Sequence, residues 1–106
     1  MERDIYVRHA EMCQVFSHPK RLEVIDALRE GELGVGELGQ RLKMAPANLS
    51  QHLAMMRERR ILAWRKEGNN VYYRIANPRL LEAFDILREV LFSQLRQDAA
   101  LLKGRR

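Results

Sequence analysis

The segment Pro46-Ala47-Asn48-Leu49-Ser50-Gln51-His52-Leu53 holds four polar side chains of the kind that trade hydrogen bonds with base edges. Glutamine can bond adenine through both of its polar atoms, serine is permissive, and asparagine reaches a base or a phosphate. Leu49, Leu53 and Met56 recur at helical spacing, which predicts a buried stripe and leaves Asn48, Ser50, Gln51 and Arg57 outside. Pro46 and Ala47 offer methylene and methyl groups to a thymine. His52 stands next to the inner stripe, where packing competes with a phosphate contact. Ser50-Gln51-His52 is no hydrolytic triplet, because neighbours on one helix lack nucleophile–base geometry and an orienting acid. Gly31, Gly34, Gly36 and Gly39 fit no phosphate-cradling signature. Neither enzyme activity nor a cofactor is expected.

Charge surrounds this segment. From Arg41 to Arg74 lie Arg41, Lys43, Arg57, Arg59, Arg60, Arg65, Lys66 and Arg74, opposed only by Glu58 and Glu67, while the rest of the chain is close to neutral. A basic middle in a chain of net charge +5 is the footprint of a polyanion-binding surface. Arg41 and Arg57 are expected to hold phosphates, which set register without reading sequence.

The elements that must position these groups follow from period and punctuation. At 106 residues and 46% hydrophobic, the chain makes a single domain, residues 1–106. A first helix is predicted over Asp4–Ser17, with Met12 and Phe16 on its apolar side. Pro19 opens a second helix, which Gly31 stops. A third runs through Leu38 and Leu42, and Pro46 starts a fourth with a poor cap at Ala45. Alternation then takes over, from Leu62 to Arg65 and again from Val71 to Ile75, around Gly68-Asn69-Asn70. That pattern reads as a β-hairpin. Asn77-Pro78 begins a last helix reaching about Leu102, with Leu80, Phe84, Leu87, Leu91 and Leu95 in register. One small domain cannot cover so long a helix, whereas a dimer would. The fold class is mainly α with a small hairpin (α+β): a winged helix-turn-helix, with helix-turn-helix at 36–59 and wing at 62–75. In the wing, Arg65, Lys66, Asn69, Asn70 and Arg74 are the candidates for backbone or minor-groove contact. Losing Arg65 is expected to lower the salt slope of binding by about 1.

Four separated segments carry a resemblance: Ser17-His18-Pro19-Lys20-Arg21-Leu22, Gly36-Glu37-Leu38, Leu49-Ser50-Gln51-His52-Leu53, and Glu67-Gly68-Asn69-Asn70-Val71-Tyr72-Tyr73-Arg74. In order and spacing, from about Glu11 to Leu95, they resemble the ArsR/SmtB family of bacterial repressors. The resemblance implies a homodimer through the first and last helices (dimerisation helices at 4–17 and 79–102), with two winged helix-turn-helix lobes. It does not carry over the metal sites of that family's metal-sensing members. Those place two cysteines in a Glu-Leu-Cys-Val-Cys-Asp-Leu segment, where this chain reads Glu32-Leu33-Gly34-Val35-Gly36-Glu37-Leu38. Their other site needs Asp and His on the last helix, and no His follows His52.

Other chemistry is weaker. His9 and Cys13 share one side of the first helix, so a symmetry mate could complete a two-His, two-Cys zinc-type site. Cys13 could also pair with its counterpart as a redox sensor, or be a small buried hydrophobe. Tyr72 and Tyr73 could stack on single strands, although strand alternation puts at least one of them in the core. The expected partner is double-stranded DNA at an imperfect palindrome in a promoter, which the dimer represses until an unidentified effector (small molecule, metal or redox signal) releases it. An architectural DNA binder without sequence preference is the alternative. The longest apolar stretches are four residues, which predicts no transmembrane helix and no signal peptide. With a single cysteine, this places the chain in the cytoplasm.

Overall fold

The computed structural model describes residues 2–104. Helix α1 spans Glu2–Gln14, and a 3-10 turn, Val15–Ser17, follows it. Then come α2 (Pro19–Ala27), β1 (Leu33–Gly34), α3 (Val35–Leu42), α4 (Pro46–Glu58), β2 (Leu62–Glu67), β3 (Asn70–Ile75) and α5 (Arg79–Gly104).

The first helix therefore stops three residues before Ser17, the predicted end. Local hydrogen bonds explain the tighter turn. Ser17 Oγ donates to the Gln14 carbonyl at 2.6 Å, while the Arg21 guanidinium donates to the carbonyls of Gln14 and Val15 at 2.9 and 3.1 Å. The freed carbonyls at the helix end are thus satisfied, and the turn carries Val15 into the core. Helix α2 starts as predicted, with His18 Nδ1 accepting from the Lys20 amide at 3.0 Å and Pro19 in the first turn. It ends at Ala27, short of Gly31, whose φ of 144° turns the chain toward β1.

The hairpin is present, and Gly68 takes the left-handed conformation (φ 61°) that its two-residue turn with Asn69 requires. It is not alone. Leu33 and Gly34 pair antiparallel with Tyr73 and Tyr72, so β3 is the central strand of a three-stranded sheet ordered β1-β3-β2. A two-residue strand leaves no visible alternation, which is why the sequence pattern suggests a hairpin and nothing more.

The core lies where α2, α3 and α4 meet the root of this sheet. Val24, Ile25, Leu38, Leu49, Leu53, Met56, Ile61 and Tyr73 are buried there. Phe84 joins them at 4% exposed, which removes it from the expected dimer surface. The first turns of α5 cross the protomer's own core, and Phe16 and Leu80 are half-buried against it too. Arg29 fixes this crossing by donating to both Asp85 oxygens, at 2.9 and 2.7 Å, and to Asp26 at 3.2 Å. Its guanidinium lowers the Asp85 carboxyl below the usual carboxylate range. Beyond that point α5 leaves the lobe: Leu87, Leu91 and Leu95 are all at least half exposed, and Met12 on α1 is exposed as well.

Phe84 and Leu91 should therefore behave differently when truncated. Phe84→Ala is expected to cost about 3 kcal/mol of protomer stability in urea denaturation. Leu91→Ala should spare the core and act on self-association in sedimentation. Equal effects on the two readouts would contradict this division of α5.

Candidate nucleic-acid interface

Helix α4 is held by one stripe. Leu49, Leu53 and Met56 are at most 1% exposed, whereas Pro46, Ala47, Asn48, Ser50 and Gln51 are not buried. The α3–α4 turn and this helix start present the polar side chains at one end of the lobe. Ala45 offers no side-chain acceptor to the first-turn amides. Ser50 also lines an open cleft of about 610 Å³ together with Asn69 and Asn70 of the wing and the start of α3. The structure thus brings Ser50 of α4 and Asn69 and Asn70 of the wing to one concave surface.

His52 is turned to the interior side. Its ring lies 4.6 Å from that of His18, and its Nδ1 is 3.4 Å from Arg21 Nη1. Desolvation, with His18 and Arg21 adding like charge, lowers its pKa below 6.5. His52 is a neutral joint between α2 and α4 at ordinary pH, which favours packing over a phosphate contact.

The wing's cations divide by strand face. Residues paired across antiparallel strands share a face, and the register pairs Trp64 with Tyr73, Lys66 with Val71, Arg65 with Tyr72 and Ala63 with Arg74. Lys66 therefore shares the α4 side with Trp64, over whose ring the Arg57 guanidinium sits at 4.6 Å. Arg65 and Arg74 lie on the opposite side. There Arg65 stacks on Tyr72 at 4.5 Å and bonds Glu32 and Glu67 at 2.6 Å each. Hydrogen bonding from Arg65 holds the Glu32 carboxyl below its ordinary pKa, and the charge of Arg74 adds to this. Against the expectation from charge alone, Arg65 spends its charge inside the molecule, tying β2 to the segment before β1. Arg41, Arg57, Lys66 and Arg74 have no ion pair among the described residues.

The weaker sequence candidates fare unevenly. Tyr73 is buried and one face of Tyr72 is covered by Arg65, so neither is a free stacking platform. His9 and Cys13 are exposed on α1. Among the described residues, no three His, Cys, Asp or Glu side chains stand together as metal ligands. Also among them, no helix is long and apolar enough to cross a membrane. Sequence reasoning missed Trp64 as the support of Arg57, and Glu32 as the neutraliser of Arg65. The two-residue alternation of the hairpin already separates Lys66 from Arg65, but Glu32 sits beyond a strand too short to read.

Two outcomes are expected from this geometry. Arg65→Ala should leave the salt slope of DNA binding unchanged and lower thermal stability, whereas Lys66→Ala should lower the slope by about 1 per protomer. A lowered slope for Arg65→Ala would show that phosphate displaces its carboxylates. As pH falls from about 6.5, the unfolded chain protonates at His52 before the folded one, so stability should decline until the lower folded pKa is passed. Replacing His52 with Gln should remove that part of the pH dependence, and NMR should place the His52 midpoint below 6.5.

Residues 18–63 match the family model for bacterial regulatory proteins of the arsR family. Over 103 residues the chain is 33% identical to an uncharacterized HTH-type transcriptional regulator, Rv0081, of Mycobacterium tuberculosis, covering 96% of this chain and 90% of that one. The crystal structure of Rv0081 superposes with a TM-score of 0.82 at 32% identity, covering 90% of this chain and 96% of the other. A biofilm growth-associated repressor of Xylella fastidiosa is 32% identical over 83% of this chain and 77% of its own length. The transcriptional activator HlyU of Vibrio cholerae is 31% identical over 81% of this chain and 79% of its own. With a helix-turn-helix, a wing and this likeness along nearly its whole length, the chain belongs to the ArsR family of bacterial regulatory proteins.

Proposed function

We propose that this protein is a homodimeric, sequence-specific repressor that binds double-stranded DNA at an imperfect palindrome in a promoter. The observation that carries the reading is the outer face of α4, where Asn48, Ser50 and Gln51 stand exposed on a helix anchored by a single apolar stripe. Such a helix fits the major groove of B-DNA, where every base pair presents a distinct pattern of donors and acceptors. In this reading Gln51 and Ser50 read bases, with Pro46, Ala47 and Asn48 beside them. Arg41, Arg57 and Lys66 hold phosphates, and Asn69 at the wing tip reaches the backbone or minor groove.

The exposed leucines of α5 and Met12 on α1 support the dimer, since they form apolar surface that the chain does not cover. One structural neighbour, from Mycobacterium bovis, is described as a homodimeric winged helix-turn-helix DNA-binding domain. Two lobes related by a twofold axis call for half-sites about 10 bp, or a multiple of that, apart. A signal that relieves repression need only bind the DNA-incompetent dimer more tightly than the competent one. Repression then follows from occupancy of the promoter. One relative is named a transcriptional activator, so the fold alone does not set the sign of regulation.

Fluorescence anisotropy at physiological salt tests this, with DNA from upstream of the protein's own gene beside a scrambled duplex. A preference of roughly a thousandfold or more is expected of a specific regulator. A genome-wide selection of bound fragments that enriches no palindrome would instead identify an architectural binder.

A further inference from the structure

We infer that Lys43, in the turn between α3 and α4, is a DNA-backbone contact, and that the chain tolerates a strained residue there to keep its charge. The inference rests on the DNA-binding reading above. Lys43 has φ 52° and ψ 49°, the left-handed region, where a side chain's Cβ is crowded and glycine is the usual occupant after a helix. A lysine in that position needs a reason.

Capping accounts for the backbone form but not for the side chain. The amides of Lys43 and Met44 both close on the Gly39 carbonyl, the latter at 3.1 Å, and Lys20 Nζ donates to the Leu42 carbonyl at 3.3 Å, none of which uses the Lys43 ammonium and all of which glycine would allow. Packing does not account for the side chain either, since Lys43 is exposed. Its ammonium takes part in no hydrogen bond or ion pair among the described residues. What remains is position. Lys43-Met44-Ala45 leads directly into the start of α4, the end that bears Asn48, Ser50 and Gln51. A cation there lies beside the backbone of any duplex whose groove α4 enters.

Among the described residues a positive φ occurs once more outside glycine, at Arg60 with φ 61°. Arg60 follows the other end of α4 and lines a small hollow of about 90 Å³ with Arg8, Glu11 and Met12 of α1. It supplies an internal control: similar strain, equal charge, opposite end of the helix.

The experiment compares wild type with Lys43→Gly, Lys43→Arg and Arg60→Gly. Thermal midpoints are measured alongside anisotropy titrations between about 50 and 200 mM salt, on the wild-type-preferred duplex and on a random-sequence duplex. Both glycine variants should melt no lower than wild type, because the substitution relieves strain. Lys43→Gly should bind both duplexes about tenfold more weakly, with the slope reduced by about 2 per dimer, one phosphate per protomer. Lys43→Arg should keep the wild-type slope, and so should Arg60→Gly. An unchanged slope in Lys43→Gly overturns the inference. So does an equal loss in Arg60→Gly, which would mark a general field effect, or a loss confined to the preferred duplex, which would mark base reading. If wild type binds neither duplex, the DNA-binding reading itself falls.

Discussion

Helix α4 is buried in the molecule through three side chains. Leu49, Leu53 and Met56 are the only buried residues it contributes, and they lie along one narrow stripe. Burying that stripe against α2, α3 and the root of the sheet determines the rotation of the helix about its axis. The rotation in turn decides which polar residues look outward. Fully burying such side chains stabilises by about 1.5–3 kcal/mol each, so a helix turned by one residue would forfeit several kcal/mol. The outward polar face is therefore as firmly placed as the core beneath it, and the remaining elements hold that core together around α4.

The arginines show how one residue type is put to different uses. Arg29 and Arg65 are each surrounded by two carboxylates and act as struts, one between α2 and α5, the other between β2 and the approach to β1. Arg57 has no carboxylate and rests on an indole, which steadies its guanidinium without neutralising it. A ring under a cation orients it and leaves its charge available, whereas a carboxylate orients it and cancels the charge. Composition treats all of these as +1, yet the outward field comes chiefly from those that, among the described residues, lack an acidic partner.

The parts legible in the sequence are those with a long repeat. The stripe of α4, the hairpin and the leucines of α5 announce themselves over many residues, and each lies near its predicted place. The helix-turn-helix and the exposure of Asn48, Ser50 and Gln51 follow from them. What cannot be read depends on partners far along the chain. Leu33-Gly34 becomes a strand only because Tyr72 and Tyr73 offer it an edge. Glu32 finds Arg65 across 33 residues, and Phe84 belongs to the core because the first turns of α5 lie across it, where Asp85 meets Arg29 of a distant segment. Spacing alone does not tell the residues of α5 apart, since Phe84, Leu87 and Leu91 follow the same helical period and differ only in what lies opposite.

The seat of Arg57 has an optical consequence. Trp64 is the chain's one tryptophan, and it stands half exposed at the root of the wing with a guanidinium over its face. Its emission arises from a single locus, the seam where helix and wing meet. Whatever moves the wing relative to α4, or draws Arg57 off the ring, changes the polarity and quenching at that indole. The protein carries its own fluorophore at the junction of α4 and wing, with no dye and no added cysteine needed.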